Sequence, residues 1–211
     1  MKYRIAKKTD VDRIAYLHQK VRKVYDIGFF SLVNKTFLKQ YYKILMDDPN
    51  EIILCAEDEN GIVQGFCSAS LDVSRQMNVL KRNKWKLGFA LIPSIISNPK
   101  ILQEGIKRFK SINNKTSLEN KYIISEGARS EYWTWNADNK NSESSVELLN
   151  KLYNLMFILG CKEVSFEVDL CNNKVYKFHK YNGAELISKF TLDDSRERAI
   201  LKYDLDKKFK S

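Results

Sequence analysis

The stretch from Glu51 to Leu71 constrains the fold more than any other. Glu51 to Glu57 and Ile62 to Leu71 are strand-like apolar runs, and Asp58-Glu59-Asn60-Gly61 between them carries the Asn-Gly signal of a tight hairpin. On both sides of this hairpin the apolar spacing changes to that of a helix. An antiparallel pair embedded between amphipathic helices excludes an all-helical bundle. At 44% hydrophobic and 29% charged over 211 residues, the chain is also neither disordered nor a disulfide scaffold, and it is long enough to bury a core without staples.

Tyr3 to Ala6 reads as a first strand. Thr9-Asp10-Val11-Asp12 opens a helix with Val11, Ile14, Leu17, Val21 and Val24 on one face. A second helix covers about 34–46, with Phe37, Leu38, Tyr41, Ile44 and Leu45 inward, and Asp47-Asp48-Pro49 stops it. Tyr122 to Trp135 reads as one or two strands, followed by a polar loop. Ser144-x-x-Glu147 is a capping box that opens a helix running to Leu159, with Leu149, Leu152, Tyr153 and Met156 buried and Gly160 ending it. Lys162 to Asp169 alternates, with Val164, Phe166 and Val168 on one face. A helix from about Asn173 to Tyr181 stops at Asn182-Gly183, and Glu185–Leu192 with Arg198–Leu205 forms a hairpin around Asp193-Asp194-Ser195. The plan is α/β (α+β), with a mixed sheet flanked by helices.

The formal charge is +10, from 36 Lys and Arg against 26 Asp and Glu. Residues 74–121 hold eleven of the basic residues and two of the acidic ones, so this helical insertion carries most of the excess. Two readings stay open for it: a solvated cap over the core, or a surface that meets an acidic substrate or an anionic membrane. No nucleic-acid partner is expected, because no helix-turn-helix, zinc or RNP-type motif is present. Four cysteines at 55, 67, 161 and 171 without a C-x-x-C, and an N-terminus unlike a signal peptide, point to free thiols in the cytoplasm. Two histidines, His18 and His179, leave no spacing that would hold a metal.

The segment 164–184, with Asn172, Val175, Phe178, His179 and Gly183 at their offsets, resembles the GNAT N-acetyltransferases when taken with the order of elements. In the N-terminal half, Phe37-Leu38…Tyr41, Ile53…Ala56-Glu57…Gly61…Val63…Gly65-Phe66…Ser70-Leu71-Asp72 and Asn98-Pro99-Lys100 look like GNAT members of polysaccharide-biosynthesis clusters. The resemblance implies one GNAT-like domain over 1–211, with a mostly antiparallel central sheet and the insertion at about 74–121. It implies acetyl-CoA as cosubstrate and a small amine, such as an amino sugar, as acceptor. A catalytically degenerate scaffold that binds an anionic partner or membrane through the insert is the alternative, and a homodimer is a further expectation.

In that family the pantetheine arm pairs with the fourth strand and the diphosphate sits on a Gly-rich loop at the next helix. Matched from Leu148-Leu149 backwards, the loop here is Lys140-Asn141-Ser142-Glu143-Ser144-Ser145. Lys140 supplies a cation, Ser142, Ser144 and Ser145 supply polar contacts, and Glu143 stands where the pattern has Gly. Trp133, Thr134, Trp135 and Asn172 complete the expected cofactor contacts. His179 stands where the family has a Tyr that protonates the departing thiolate, and a histidine with the reference pKa of about 6.5 suits that task. Tyr176 and Tyr181 are alternates. Glu131 is the expected base for the amine, sharing a face with Trp133 and Trp135, for which two readings stay open, walls of an acceptor pocket or core packing; Glu126 and Glu167 are its alternates.

Overall fold

The computed structural model describes residues 1–25, 29–103, 105–106, 124–192 and 195–210. Seven strands form one sheet in the order β1-β2-β3-β4-β5-β7-β6: β1 (Lys2–Ile5), β2 (Glu51–Glu57), β3 (Val63–Ser70), β4 (Arg129–Trp135), β5 (Glu163–Asp169), β6 (Glu185–Thr191) and β7 (Glu197–Asp204). Every neighbouring pair is antiparallel except β4 and β5, which run parallel. The expected hairpin is present: Asp58 accepts from the backbone of Asn60 and Ile62, and Gly61 takes a φ of 76°.

Helices cover both faces of the sheet. On one side lie α1 (Val11–Tyr25), α2 (Phe29–Leu32), α3 (Lys35–Met46) and α5 (Lys84–Ser97), around a core that includes Ile14, Leu17, Leu38, Tyr42 and Phe66. On the other lie α6 (Ser142–Ile158), α7 (Asn173–Tyr181) and α8 (Leu205–Phe209), around Leu148, Leu152, Tyr153, Val164 and Leu201. The apolar positions expected on the helices over 34–46 and 144–159 are all buried. Of the first helix's face, Val11, Ile14 and Leu17 are buried, while the Val24 side chain lies outside the described residues.

Side-chain caps start most of these helices. Asn34 accepts from Phe37 N at 3.0 Å, Asp72 from Ser74 N at 2.9 Å and Asp204 from Lys207 N at 2.9 Å, each satisfying an amide that has no partner inside its own helix. The expected capping box at Ser144 is replaced. α6 starts two residues earlier, with Asn141 as its cap, and Glu147 instead accepts from the Tyr3 hydroxyl at 2.6 Å. The first helix is likewise entered through a short 3₁₀ turn, Lys8–Asp10, whose Asp10 is held by Arg4 at 2.6 Å.

Between β3 and β4 stand α4 (Val73–Arg82) and α5, within the segment read as a helical insertion. Of the one or two strands expected over Tyr122 to Trp135, the described residues hold β4, which begins at Arg129 after Gly127 turns the chain at a φ of 73° and gives its carbonyl to Val73 N at 3.0 Å. Residues 107–123, which hold the rest of the insertion together with Tyr122, and Asp193-Asp194 of the last turn lie outside the described residues. All four cysteines are unpaired thiols. Among the described residues, no helix is long and apolar enough to cross a membrane.

Candidate active site

β4 carries the site because it is irregular on both edges. Against β3 its register runs Cys67↔Trp133 and Ser68↔Tyr132, then Ala69↔Ser130, so Glu131 is an extra residue. A bulge of this kind breaks the alternation of side chains. Ser130 bonds Tyr153 on α6, and Trp133 faces α6 and α7. Glu131 and Tyr132 turn to the opposite side: Glu131 Oε2 lies 3.5 Å from Tyr41 Oη on α3, and the Tyr132 ring is 4.5 Å from His18 and 5.6 Å from Phe30. Glu131 therefore does not share a face with Trp133 and Trp135, as strict alternation predicts; the bulge separates them.

Against β5 the strand pairs at one register position, Arg129↔Ser165, supported by Ser165 N donating to Ala128 O at 3.1 Å. Beyond it the two strands part, and among the described residues the β4 edge facing β5 has no ladder partner. The gap opens into a cleft of about 400 Å³ whose walls include Glu131, Trp133, Thr134, Phe166, Asn172 and His179. An unpaired strand edge in a cleft can bind an extended chain by strand addition.

The carboxylate at the inner end of this cleft belongs to a chain of hydrogen bonds. Arg129 Nη2 donates to Glu131 Oε1 at 2.6 Å and to Gln76 Oε1 at 2.7 Å. Gln76 Nε2 donates to Glu51 Oε2 at 2.8 Å, and Ser70 Oγ donates to Glu51 Oε1 at 2.6 Å. Burial, reinforced by the Glu131 charge, pushes the Glu51 carboxyl up to about 8. Burial of this kind favours the protonated form of Glu51. Arg129, Gln76 and Glu51 were not singled out from the sequence, and Tyr41 was read as a core position and as part of the resemblance rather than as a site residue. An Arg and a Glu two apart on one strand, and a Glu opening an otherwise apolar strand, are the signals that mark them.

His179 lines the cleft but is buried, with its ring 4.4 Å from Phe166 and its Nδ1 3.1 Å from Tyr203 Oη. Desolvation, with a smaller push from Lys208, lowers it to about 4. This burial favours the neutral imidazole, whereas the acid role expected of His179 rests on a titration near neutral pH. Tyr176 is half-buried under Lys189 and does not reach the cleft, and Tyr181 is exposed. Glu126 is exposed outside the cleft; Glu167 is on its β5 lip, held by Arg198 at 2.9 Å.

The start of α6 forms the outer end. Asn141 Oδ1 takes the Ser144 N–H at 2.9 Å, and Ser142 N bonds back to Lys140 O at 2.9 Å. Trp133 Nε1 donates to Ser145 O at 3.0 Å and to its Oγ at 3.1 Å; Trp135 Nε1 donates to Asn139 O at 2.9 Å. The two indoles brace β4 against the loop and the helix start, and both also line the cleft. Lys140 is exposed. Glu143 is exposed as well, does not line the cleft, and adds to the effects of burial and Glu147 that push the Tyr3 hydroxyl up to about 12. Its charge therefore stands on the β1 side of α6. A thioester arm fits the open β4 edge. A diphosphate fits the helix start less well, since Asn141 already holds one amide and Trp133 already uses Ser145.

The mostly antiparallel seven-stranded sheet, with β4 parting from β5 and a helix leaving its outer end, has the fold expected from the resemblance, that of the GNAT N-acetyltransferases. Solved structures agree in overall shape. A ribosomal-protein-alanine N-acetyltransferase from Brucella melitensis matches at a TM-score of 0.60 with 12% identity, over 97% of this chain and 99% of that one. A spermidine N-acetyltransferase variant from Vibrio cholerae matches at 0.59 with 12% identity, over 99% and 98%. A putative acetyltransferase from Salmonella typhimurium, solved with its cofactor acetyl-CoA, matches at 0.56 with 13% identity, over 98% and 94%. At such identities the likeness establishes the fold alone. No family model and no curated protein matches the sequence.

Proposed function

We propose that residues 1–211 form one GNAT-like unit, with an insertion at about 74–121, that transfers an acetyl group from acetyl-CoA to a small amine. The observation that carries this reading is the unpaired β4 edge, which leads from the start of α6 to the carboxylate of Glu131. Coenzyme A supplies the activated acyl carbon: the amine nitrogen forms the new C–N bond, the C–S bond breaks, and the thiolate leaves. Glu131 receives one proton that the amine loses, a second proton from a cationic amine leaves with the thiolate as the free thiol, and Arg129 holds that carboxylate in place. Tyr41, Tyr132 and Phe30 surround it with ring faces that suit a cationic amine or the apolar face of an amino sugar. Buried His179 shapes the inner wall. Lys140 meets the diphosphate. The unpaired cysteines fit a cytoplasmic setting.

Calorimetry with acetyl-CoA, followed by thiol release with amino sugars and polyamines, tests the proposal. Binding is expected in the wild type and in Glu131→Gln alike, with thiol release lost in the variant. A second reading has its own observation, the Asn141 side chain seated on the helix start: a scaffold that no longer binds coenzyme A. Absence of heat with acetyl-CoA selects it and overturns the first.

A further inference from the structure

α5 is apolar on both sides, which is unusual for a helix at a surface. Its inner side rides on the α3 core through Leu87, Leu91 and Ile95, and Ser94 is buried there with its Oγ accepting from Asn34 N at 2.9 Å. Its outer side presents Trp85, Phe89, Ile92 and Ile96, at 71%, 70%, 46% and 77% exposure. The spacing of four, three and four puts these four on one stripe. An exposed apolar stripe of this length marks an interaction surface.

Charge decides what covers it. From Val73 to Gln103 the chain has no acidic residue, and besides the Arg75 that engages Asp48 it has Lys81, Arg82, Lys84, Lys86 and Lys100. The nearby carboxylates, Asp47 and Asp48, are engaged by Lys8 and Arg75. A second copy of the chain would bring the same basic rim against this one, and like charges would face each other. A bilayer surface with anionic headgroups matches both the stripe and its rim. We propose that the outer face of α5 docks on an anionic membrane surface, with Trp85, Phe89, Ile92 and Ile96 entering the headgroup boundary and the flanking lysines and arginines on the lipid charges. This inference does not depend on acetyl transfer, and its measurement involves neither acetyl-CoA nor an amine.

Co-sedimentation of the full chain with vesicles tests it, comparing phosphatidylcholine alone with phosphatidylcholine mixed with phosphatidylglycerol. Binding is expected to the mixed vesicles, falling as salt is raised. Phe89→Ser/Ile96→Ser, both exposed and so expected to keep the wild-type Tm, lowers the partition coefficient by about tenfold or more. Lys84→Gln/Lys86→Gln lowers it by about tenfold as well. Tryptophan emission shifts to the blue on binding, and the shift disappears in Trp85→Phe. No binding to the mixed vesicles, or equal binding by the Ser variant, overturns the proposal. So does a wild-type dimer in sedimentation that the Ser variant dissociates.

Discussion

Gly65 shows how one missing side chain fixes the outer end of the cleft. It pairs with Trp135 across β3 and β4, and a Cβ built on it would lie 2.2 Å from Trp135 Cε3 and 2.9 Å from Thr134 O. The indole lies across the glycine, and from there its Nε1 reaches Asn139 O. Gly65→Ala forces that ring or the strand to move and lowers stability by about 1–3 kcal/mol. Thermal unfolding reads the loss, and altered tryptophan emission reports the displaced ring. Two buried titrating groups act on stability in opposite directions. Glu51 is raised in the folded state, so its contribution is present below its unfolded pKa of about 4.5 and is lost as pH climbs to about 8. Glu51→Gln cannot ionise, so its Tm relative to wild type improves between pH 5 and 8. His179 is depressed, so its contribution is present above pH 6.5 and is lost as pH falls to about 4. With only two histidines in the chain, its imidazole can be followed by NMR, and a midpoint near 4 is expected. A midpoint near 6.5 would restore it as a candidate acid.

The elements themselves were legible in the sequence wherever one periodicity ran unbroken. The stripe of α6, the alternation of Val164, Phe166 and Val168 in β5, and the stop at Gly183 with its φ of 90° all follow from local rules. The site was less legible, because it is made by a departure from period. Alternation from Ser130 to Trp135 assigns Glu131 to the α6 side, and only the pairing with β3 reveals the extra residue. Cap choice is also tertiary. Both Asn141 and Ser144 are good caps, and Glu147 would complete a box with Ser144, but the Tyr3 hydroxyl engages Glu147 instead. Asn141→Ala removes the cap and costs about 1 kcal/mol. Asn141→Gly costs less and leaves the Ser144 N–H open. If a diphosphate sits on this helix start, Asn141→Gly binds acetyl-CoA more tightly than wild type in calorimetry. Equal affinity would place the diphosphate elsewhere.

At the scale of the whole molecule the sheet is two ladders, β1 to β4 and β5 to β7, joined at one register position. Each side of the sheet has its own apolar core, and the core under α6 spans both ladders, from Ile52 and Cys67 to Val164 and Leu201. The junction at β4 and β5 therefore relies on packing by α6 rather than on strand hydrogen bonds. A ligand laid along the open β4 edge supplies the missing bonds and ties the ladders together, so binding and stability are linked. With acetyl-CoA at a hundredfold excess over its Kd, the native state gains about 2.7 kcal/mol. For a chain of this size that is a rise in Tm of roughly 5–10 °C. Hydrogen exchange locates the effect: among the β4 amides from Glu131 to Trp135, those bonded to β3 are protected with or without ligand. Those facing β5 exchange fast in the free protein and slow down when acetyl-CoA is added. A Tm rise without new protection on that edge would mean that the ligand binds outside the cleft.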